Sequence, residues 1–579
     1  MSEQLLGARA ICESLLREGV DTIFGIPGGA ILPFYDALWH YPQLRHVLMR
    51  HEQAASHAAA AYARTTGRVG VCVSTSGPGA TNLLTGLADA KMDSTPIVAI
   101  TGQVARPFLG TEAFQECDTT GMAGPLLKKV YLVMDPKDIG SIIHEAFQVA
   151  SEGRPGPVLI DVPKDVQAEL ADFSYSTASA SGPKPPDNPS ATAIAKAAQL
   201  LNEAERPLIL AGNGVHLSRA SADLQALAET ANIPVINTLH GTGSFPRHHP
   251  LAMGMLGMHG MYANNIATCE CDVIFAVGMR FDDRVIGRPG SFAPQAKVIH
   301  LEIEPAQVDK NVNADVPLIG DAKLVLSALL PSIFHNPRKA WFARLESLRE
   351  EHPSLEIPAG GVLTPQFILS KLNAQLQRLA DPVVVTGVGQ HQMWAAQFIT
   401  LNKAQSFVTS GGLGTMGFEV PAAIGAQVGR PNATVWSVAG DGGFQMTLQE
   451  LATIVQEHLP IKFLLMNNGY HGMVRQWQEL FYEHHYKATA VSGPDFVKLA
   501  AAYGISGARL DNQAHVETAL AAAAAHDGPY LLDCHIAPEE NVYPMVPPGA
   551  SLAETVEDPR IVHTHQPLKA GPEGKVSYP

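Results

Sequence analysis

Asp441 sits in the turn Gly440-Asp441-Gly442-Gly443, and Asn468 is the second residue of an Asn-Asn pair; each follows a short apolar run. TVWSVA is rich in β-branched and apolar residues and FLLMN is a short apolar run, as buried parallel strands are. A carboxylate and an amide oxygen are hard donors that suit Mg²⁺, an ion usually held by one or two carboxylates together with substrate phosphates. Glycines on either side of Asp441 let the backbone approach a phosphate group closely. The chemistry indicated is a divalent cation that grips a phosphorylated ligand. For the two side chains to meet, the residues between them must form a βαβ unit. Thr447 and Glu450 have the spacing of a capping box at a helix start. Leu448, Leu451, Ala452 and Val455 then recur as one buried helix face would. Such a crossover makes the strands parallel and brings their C-terminal ends together, where open α/β sheets bind ligands.

The chain has 579 residues, too many for one core, so about three domains are expected. With 46% hydrophobic and 16% charged residues it has the composition of an ordinary globular protein. A net charge of −15 and the lack of a Lys/Arg stripe argue against a nucleic-acid surface. The six cysteines, Cys12, Cys72, Cys117, Cys269, Cys271 and Cys534, form no Cys-x-x-Cys pair and read as reduced, packed thiols. No apolar stretch has transmembrane length, and the N-terminus runs into an amphipathic helix with no signal-peptide pattern. A cytoplasmic location with no membrane partner is the expectation.

Two composition shifts, one dense in Ser, Ala and Pro and one around EHPSLEIPAGGVLTP, divide the chain. They give domains at 1–175, 191–345 and 362–545, linkers at 176–190 and 346–361, and a tail at 546–579. Each block alternates strand and helix patterns, the signature of α/β architecture with doubly wound parallel sheets. The first and third blocks repeat one grammar. VGVCVSTSGPGATNLLTGLADAKMDSTPIVAITGQ and ATVWSVAGDGGFQMTLQELATIVQEHLPIKFLLMNN both run strand, glycine turn, helix, proline, strand. Where the third block has Asp441, the first has Pro78. The two read as cousins of which one carries the metal ligands, and a ligand gripped between unlike halves follows.

The segments FGIPGGAILPFYDAL, RHEQAASHAAAAYART, TSGPGATNLLTGLADA, GTEAFQE, GMLGMHG, RFDDRV, VGQHQMWAAQ, GGLGTMGFEVPAAIGA, GMVRQWQELFY and NVYPMVPPGAS occur in order along the chain. With GDG…NN, they resemble the thiamine-diphosphate enzyme superfamily and, more narrowly, the catalytic subunits of the acetohydroxyacid (acetolactate) synthase family. The resemblance implies a pyrimidine-binding, a central FAD-binding and a diphosphate-binding domain. It also implies that the cofactor lies at a dimer interface, between the first domain of one subunit and the third of the other.

Thiamine diphosphate must lose a proton from its thiazolium carbon before attacking a 2-keto acid, and its ring then serves as the electron sink for decarboxylation. By resemblance, Glu52 of RHEQ is the carboxyl group that lets the cofactor's aminopyrimidine take that proton. Asp441, Asn468 and the carbonyl of Tyr470 are implied to hold Mg²⁺. Gln390 and His391 match phosphate contacts, and Met416 matches the apolar wedge that bends the cofactor. Pro27, Gly28, Val388, Gly389, Gly414, Gly440, Gly442, Gly443, Gly472 and Met473 complete the implied thiamine-diphosphate site. Phe114 and Gln115 match positions near the reacting carbon, and Lys184 one at the channel mouth. Arg284 resembles the arginine near the acceptor acid, whose carboxylate a guanidinium can bind bidentately. Gly29, Met473, Val474 and Trp477 match the acceptor pocket. Gly212, Gly214, Thr238, Gly257, Met258, His259, Gly260 and Arg280 match FAD contacts, together with Arg154, Asp282, Arg284 and Asp321.

The implied reaction is decarboxylation of pyruvate and transfer of the two-carbon unit to pyruvate or 2-ketobutyrate, the step that opens branched-chain amino-acid synthesis. A homo-oligomer and a small regulatory subunit are the implied partners, and FAD is implied to be structural. Pyruvate oxidase, glyoxylate carboligase and a catalytically silent paralogue are the alternatives. Four positions depart from the family pattern: Gly443 stands in place of Ser, Glu419 of a small residue, His240 of Lys or Met, and Gly387 of Asp.

Overall fold

The computed structural model describes residues 3–175, 189–357 and 362–561. Lys184 lies outside the described residues, as does most of the first linker. The strands are β1 Glu3–Leu6, β2 Thr22–Gly25, β3 Arg45–Leu48, β4 Gly70–Ser74, β5 Ile97–Gln103, β6 Lys129–Leu132, β7 Val158–Pro163, β8 Leu170–Phe173, β9 Pro207–Ala211 and β10 Val235–Asn237. There follow β11 Ala252–Met255, β12 Val273–Val277, β13 Lys297–Glu302, β14 Val316–Ile319, β15 Pro382–Thr386, β16 Phe407–Thr409, β17 Thr434–Gly440, β18 Lys462–Asn467, β19 Ser506–Leu510 and β20 Tyr530–His535.

Eighteen of these strands form three six-stranded sheets, so the α/β reading holds. The first sheet has the order β3-β2-β4-β5-β7-β6 and the third β16-β15-β17-β18-β20-β19. Numbered within each sheet, both read 2-1-3-4-6-5, the shared plan that the repeated grammar pointed to. The middle sheet, β11-β10-β9-β12-β13-β14, reads 3-2-1-4-5-6, the order of dinucleotide-binding sheets. β17 and β18 are parallel neighbours in register Gly440↔Met466, so Asp441 and Asn468 leave the sheet at the same edge.

Two local expectations are corrected. Thr447 and Glu450 do not form a capping box. The glycine turn starts the helix at Asp441, so Thr447 is that helix's last residue, followed by a 3₁₀ turn Leu448–Glu450 and a helix Leu451–Gln456. The Thr447 hydroxyl donates to the Gly417 carbonyl (2.8 Å). Glu450 accepts from the Arg50 backbone N–H (3.0 and 3.2 Å) and the Thr453 hydroxyl (2.8 Å). At the N-terminus, β1 precedes the amphipathic helix Gly7–Arg17 and pairs antiparallel with β8.

The first and third domains share one core. Helix Glu52–Thr66 carries the run Ala58–Ala61, fully buried, and packs against helix Glu419–Gly429. Small residues let the helices approach closely: a Cβ at Gly425 would lie 1.9 Å from the Ala58 carbonyl oxygen. The described tail folds back on the middle domain, where Val546, Ala550 and Leu552 are buried with Ile274 and Phe281. Cys12, Cys72, Cys271 and Cys534 are buried, and all six cysteines are free. Among the described residues, no helix is long and apolar enough to cross a membrane.

Glu450 ties the third domain to the residues just ahead of Glu52, and burial pushes its carboxyl up to about 7 from 4.5. A raised folded-state pKa means that the folded chain holds the proton more tightly. Its contribution to stability is therefore full below about 4.5 and is lost as pH rises through about 7. Glu450→Gln is expected to flatten that part of the decline when denaturant midpoints are compared at about pH 5 and about pH 8; an unchanged slope would contradict it.

Candidate functional site

The turns that follow β15, β17 and β18 line one cleft in the third domain, near the sheet's topological switch point. Asp441 is 2% exposed, and burial pushes its carboxyl up to about 6 against the backbone N–H groups of Asp441, Asn468 and Gly469. The charged neighbour that acts on it most is Asp533, of the same sign. A buried carboxylate in that setting is costly unless a cation neutralises it. Asn468 lies opposite, oriented by two contacts: its Oδ1 accepts the Tyr470 N–H (3.0 Å), and its Nδ2 donates to Gln390 Oε1 (3.3 Å). Gln390 is held in turn by donating to Gln476 Oε1 and the Glu540 carbonyl, both at 2.9 Å. Among the described residues, no three His, Cys, Asp or Glu side chains gather as a metal cluster. One carboxylate, one amide side chain and the Tyr470 backbone line the cleft together.

Two imidazoles flank the glycine turn. A Cβ at Gly440 would lie 2.7 Å from His391 Nδ1, and one at Gly442 2.7 Å from His471 Nδ1, so neither position admits a side chain. His391 Nε2 and His471 Nδ1 are buried without hydrogen-bond partners. Burial lowers the His391 pKa to about 3, which keeps that ring neutral near pH 7 and able to donate to an anion. The Met416 methyl lies 3.8 Å from the Cβ position of Gly442. Val388, Gly389, Gly443, Gly472, Met473 and Val474 also line the cleft, whereas Gly414 stands behind Val388.

Along helix Gly472–Phe481, Trp477 follows Met473 by one turn. The Arg284 guanidinium, from the middle domain, sits 5.8 Å from the Trp477 ring centroid, and its Nη1 is 3.4 Å from Met258 Sδ. Met258 N–H donates to the Arg284 carbonyl (2.7 Å), which fixes the pair.

A second group gathers in the first domain, on the segments that follow β2, β3, β4 and β5. Glu52 opens helix Glu52–Thr66 and accepts from Asn82 Nδ2 at 3.0 Å. Gln115, at φ +60°, packs on Gly77, whose Cβ position is 2.9 Å from the Gln115 carbonyl oxygen. A non-glycine residue held in the left-handed region marks local strain. Gly28 is pressed on Thr75, with its Cβ position 2.5 Å from Thr75 Cβ. Gly29 faces open space, and Phe114 is 89% exposed. Pro27, Gly28, Gly29, Glu52, Phe114 and Gln115 do not line the third-domain cleft of the same chain. The two groups are separate within one chain.

A cavity of about 270 Å³ opens at the carboxyl ends of the middle sheet. Of the residues matched to FAD contacts, Arg154, Gly214, Thr238, Arg280, Asp282 and Asp321 line it. Gly212 lies at its edge, its Cβ position 2.2 Å from the Gly278 carbonyl oxygen. Gly257, Met258, His259, Gly260 and Arg284 are not in the lining. They form a seam, where Val546 N–H donates to the Met258 carbonyl (2.8 Å) and Gln397 Nε2 to the His259 carbonyl (3.0 Å). Burial and the nearby Arg280 both lower the pKa of Arg154, so two cations face one space that suits a diphosphate. His240 pairs with Asp93 at 2.9 Å on the cavity wall.

Sequence reasoning missed His471, Trp394 and Asn82, and also Glu302, whose buried carboxyl lines the cavity at the end of β13. Glu302 had a legible signal, an acid that closes an apolar strand in a dinucleotide-type block; Trp394 had none.

Residues 6–122 match the N-terminal TPP-binding domain of thiamine pyrophosphate enzymes, 194–329 the central domain, and 387–534 the C-terminal TPP-binding domain. The acetolactate synthase of Mycobacterium bovis is 48% identical over 95% of this chain and 91% of its own length. An acetolactate synthase large subunit from Parasynechococcus marenigrum is 47% identical over 96% and 91%. A probable acetolactate synthase large subunit from Methanocaldococcus jannaschii is 47% identical over 96% of both chains. The chain belongs to the acetolactate synthase family. As a member of this family of thiamine-diphosphate enzymes, it combines in its third-domain cleft an unneutralised carboxylate, a glycine turn and two unpartnered imidazoles. Asp441→Ala is expected to weaken Mg²⁺-supported thiamine diphosphate binding more than about a hundredfold, beyond the usual effect of losing a supporting residue. Fluorescence of Trp394, which lines the cleft, reports it; equal affinity would contradict the assignment.

Proposed function

We propose that the protein is an acetolactate synthase that decarboxylates pyruvate and joins the two-carbon unit to a second pyruvate or to 2-ketobutyrate. The products are CO₂ with 2-acetolactate or 2-aceto-2-hydroxybutyrate. One observation carries the choice within the superfamily: Arg284 of the middle domain stands against Trp477 of the third, close to the cleft that Met473 and Val474 line. A guanidinium on an aromatic face binds an acceptor carboxylate while the indole offers apolar surface to its short carbon chain. One additional methylene on that surface is worth about 1–3 kcal/mol, so preference for 2-ketobutyrate is graded.

Thiamine diphosphate supplies the nucleophilic carbon and the electron sink for loss of CO₂. Asp441, Asn468 and the Tyr470 carbonyl hold Mg²⁺, and the buried, unneutralised Asp441 supports that fit. His391 and Gln390 orient the diphosphate, and Met416 packs against the turn beneath it. Glu52, steadied by Asn82, holds a proton at its carboxyl against the cofactor's pyrimidine nitrogen. Gln115 and Phe114 would lie near the reacting carbon and limit the entry of water. Glu52 and Asp441 belong to different half-sites of one chain, which supports a homodimer in which each site takes one half from each subunit.

FAD is proposed for the middle cavity. The 3-2-1-4-5-6 sheet order, the close Gly212–Gly278 packing and the facing Arg154 and Arg280 support a dinucleotide there. Its role is to brace the middle domain, whose Met258–Arg284 seam reaches the acceptor side. A small regulatory subunit is a further proposal, since relatives are named as large subunits. A cytoplasmic location accompanies this reading.

Purified protein given pyruvate, Mg²⁺ and thiamine diphosphate, with and without FAD, is expected to form acetolactate without consuming oxygen, and to do so only when FAD is present. Acetate with oxygen uptake would replace the reading by an oxidase.

A further inference from the structure

Glu419 opens helix Glu419–Gly429 and is fully buried; neither carboxyl oxygen makes a well-formed hydrogen bond, and the nearby backbone N–H groups of Glu419 and Gly417 only partly offset the cost of burial. An orphaned buried carboxyl is expensive and calls for an explanation. Its surroundings supply one. A Cβ at Gly387 would lie 2.2 Å from Glu419 Oε2, and one at Gly443 2.7 Å from Oε1. Gly387 follows β15 and begins the turn that carries Gln390 and His391; Gly443 ends the turn that carries Asp441. The carboxyl is thus wedged between the two turns that shape the cleft, and it fits because both facing residues are glycine. Burial raises its pKa to about 7, so near neutral pH it is protonated in part and can donate as well as accept.

We propose that Glu419 is a positioning residue for the diphosphate cofactor: its side chain spaces the Gly387–His391 and Gly440–Gly443 turns, and its unspent hydrogen-bonding capacity is taken up when the cofactor binds. Gly387, Glu419 and Gly443 then form one coupled unit in which no member changes alone. This rests on the cleft being the thiamine diphosphate site.

Calorimetric titration of the full-length apoprotein with thiamine diphosphate in Mg²⁺, alongside the apoprotein's thermal midpoint, tests it. Glu419→Gln, which keeps shape and polarity, is expected to bind within about threefold of the unaltered chain. Glu419→Leu fills the space without an orphaned polar group, so its thermal midpoint is expected to hold or rise while affinity falls about tenfold or more. Gly387→Asp alone is expected to lose binding, and Gly387→Asp with Glu419→Ala to regain at least about tenfold of it. Full affinity in Glu419→Leu would make the residue a space-filler and overturn the proposal. So would a double variant as weak as Gly387→Asp. An unaltered chain that failed to bind the cofactor would instead remove the reading beneath it, and the inference with it.

Discussion

The buried carboxylate of Asp441 is the constraint around which the third domain is arranged. It sits 2% exposed at the end of β17, with Asp533 as a like-charged neighbour, and its own turn offers it backbone N–H groups rather than a cation. Such a group is costly unless a cation neutralises it, as the proposed Mg²⁺ would. Each neighbouring feature shapes the same cleft. Parallel pairing of β17 with β18 delivers Asn468, glycines at 440 and 442 admit the two imidazoles, and Gln390 locks Asn468 in place. The cost of desolvating Asp441 is a fixed part of the fold, and the proposed cation would relieve it.

The second constraint is division. The first and third sheets share the order 2-1-3-4-6-5, yet their strand ends carry different chemistry: Glu52, after β3, with Asn82 in one, and Asp441 with Asn468, after β17 and β18, in the other. Glu450 and the Ala58–Gly425 contact weld the two domains of one chain together, but this does not bring Glu52 into the cleft that holds Asp441. A welded pair with two separate groups is what the proposed homodimer requires.

The sequence was most readable where one local rule decided the outcome. TVWSVA and FLLMN became parallel neighbours because both are short apolar runs joined by a helical crossover, and the repeated grammar of the first and third blocks reappeared as one strand order. It was least readable where a distant backbone took over. Thr447 and Glu450 have the spacing of a cap, but Gly417 and Arg50 claim their side chains. The seam that Gly257 to Gly260 make with residues 544–546 and Gln397 had no local signal either. Glu419, Gly387 and Gly443 looked like three unrelated departures. They became one contact only once the turns were in space.

Subunit complementation tests the divided site most directly. Glu52→Gln and Asp441→Ala, each inactive alone, would be mixed in equal amounts, allowed to exchange subunits, and assayed for acetolactate. Half the dimers would then be mixed, each with one intact site of two, so about a quarter of the unaltered activity should return. If the mixture stayed as inactive as its parents after exchange, Glu52 and Asp441 would have to serve the same site within one chain, and the site would not be divided between subunits.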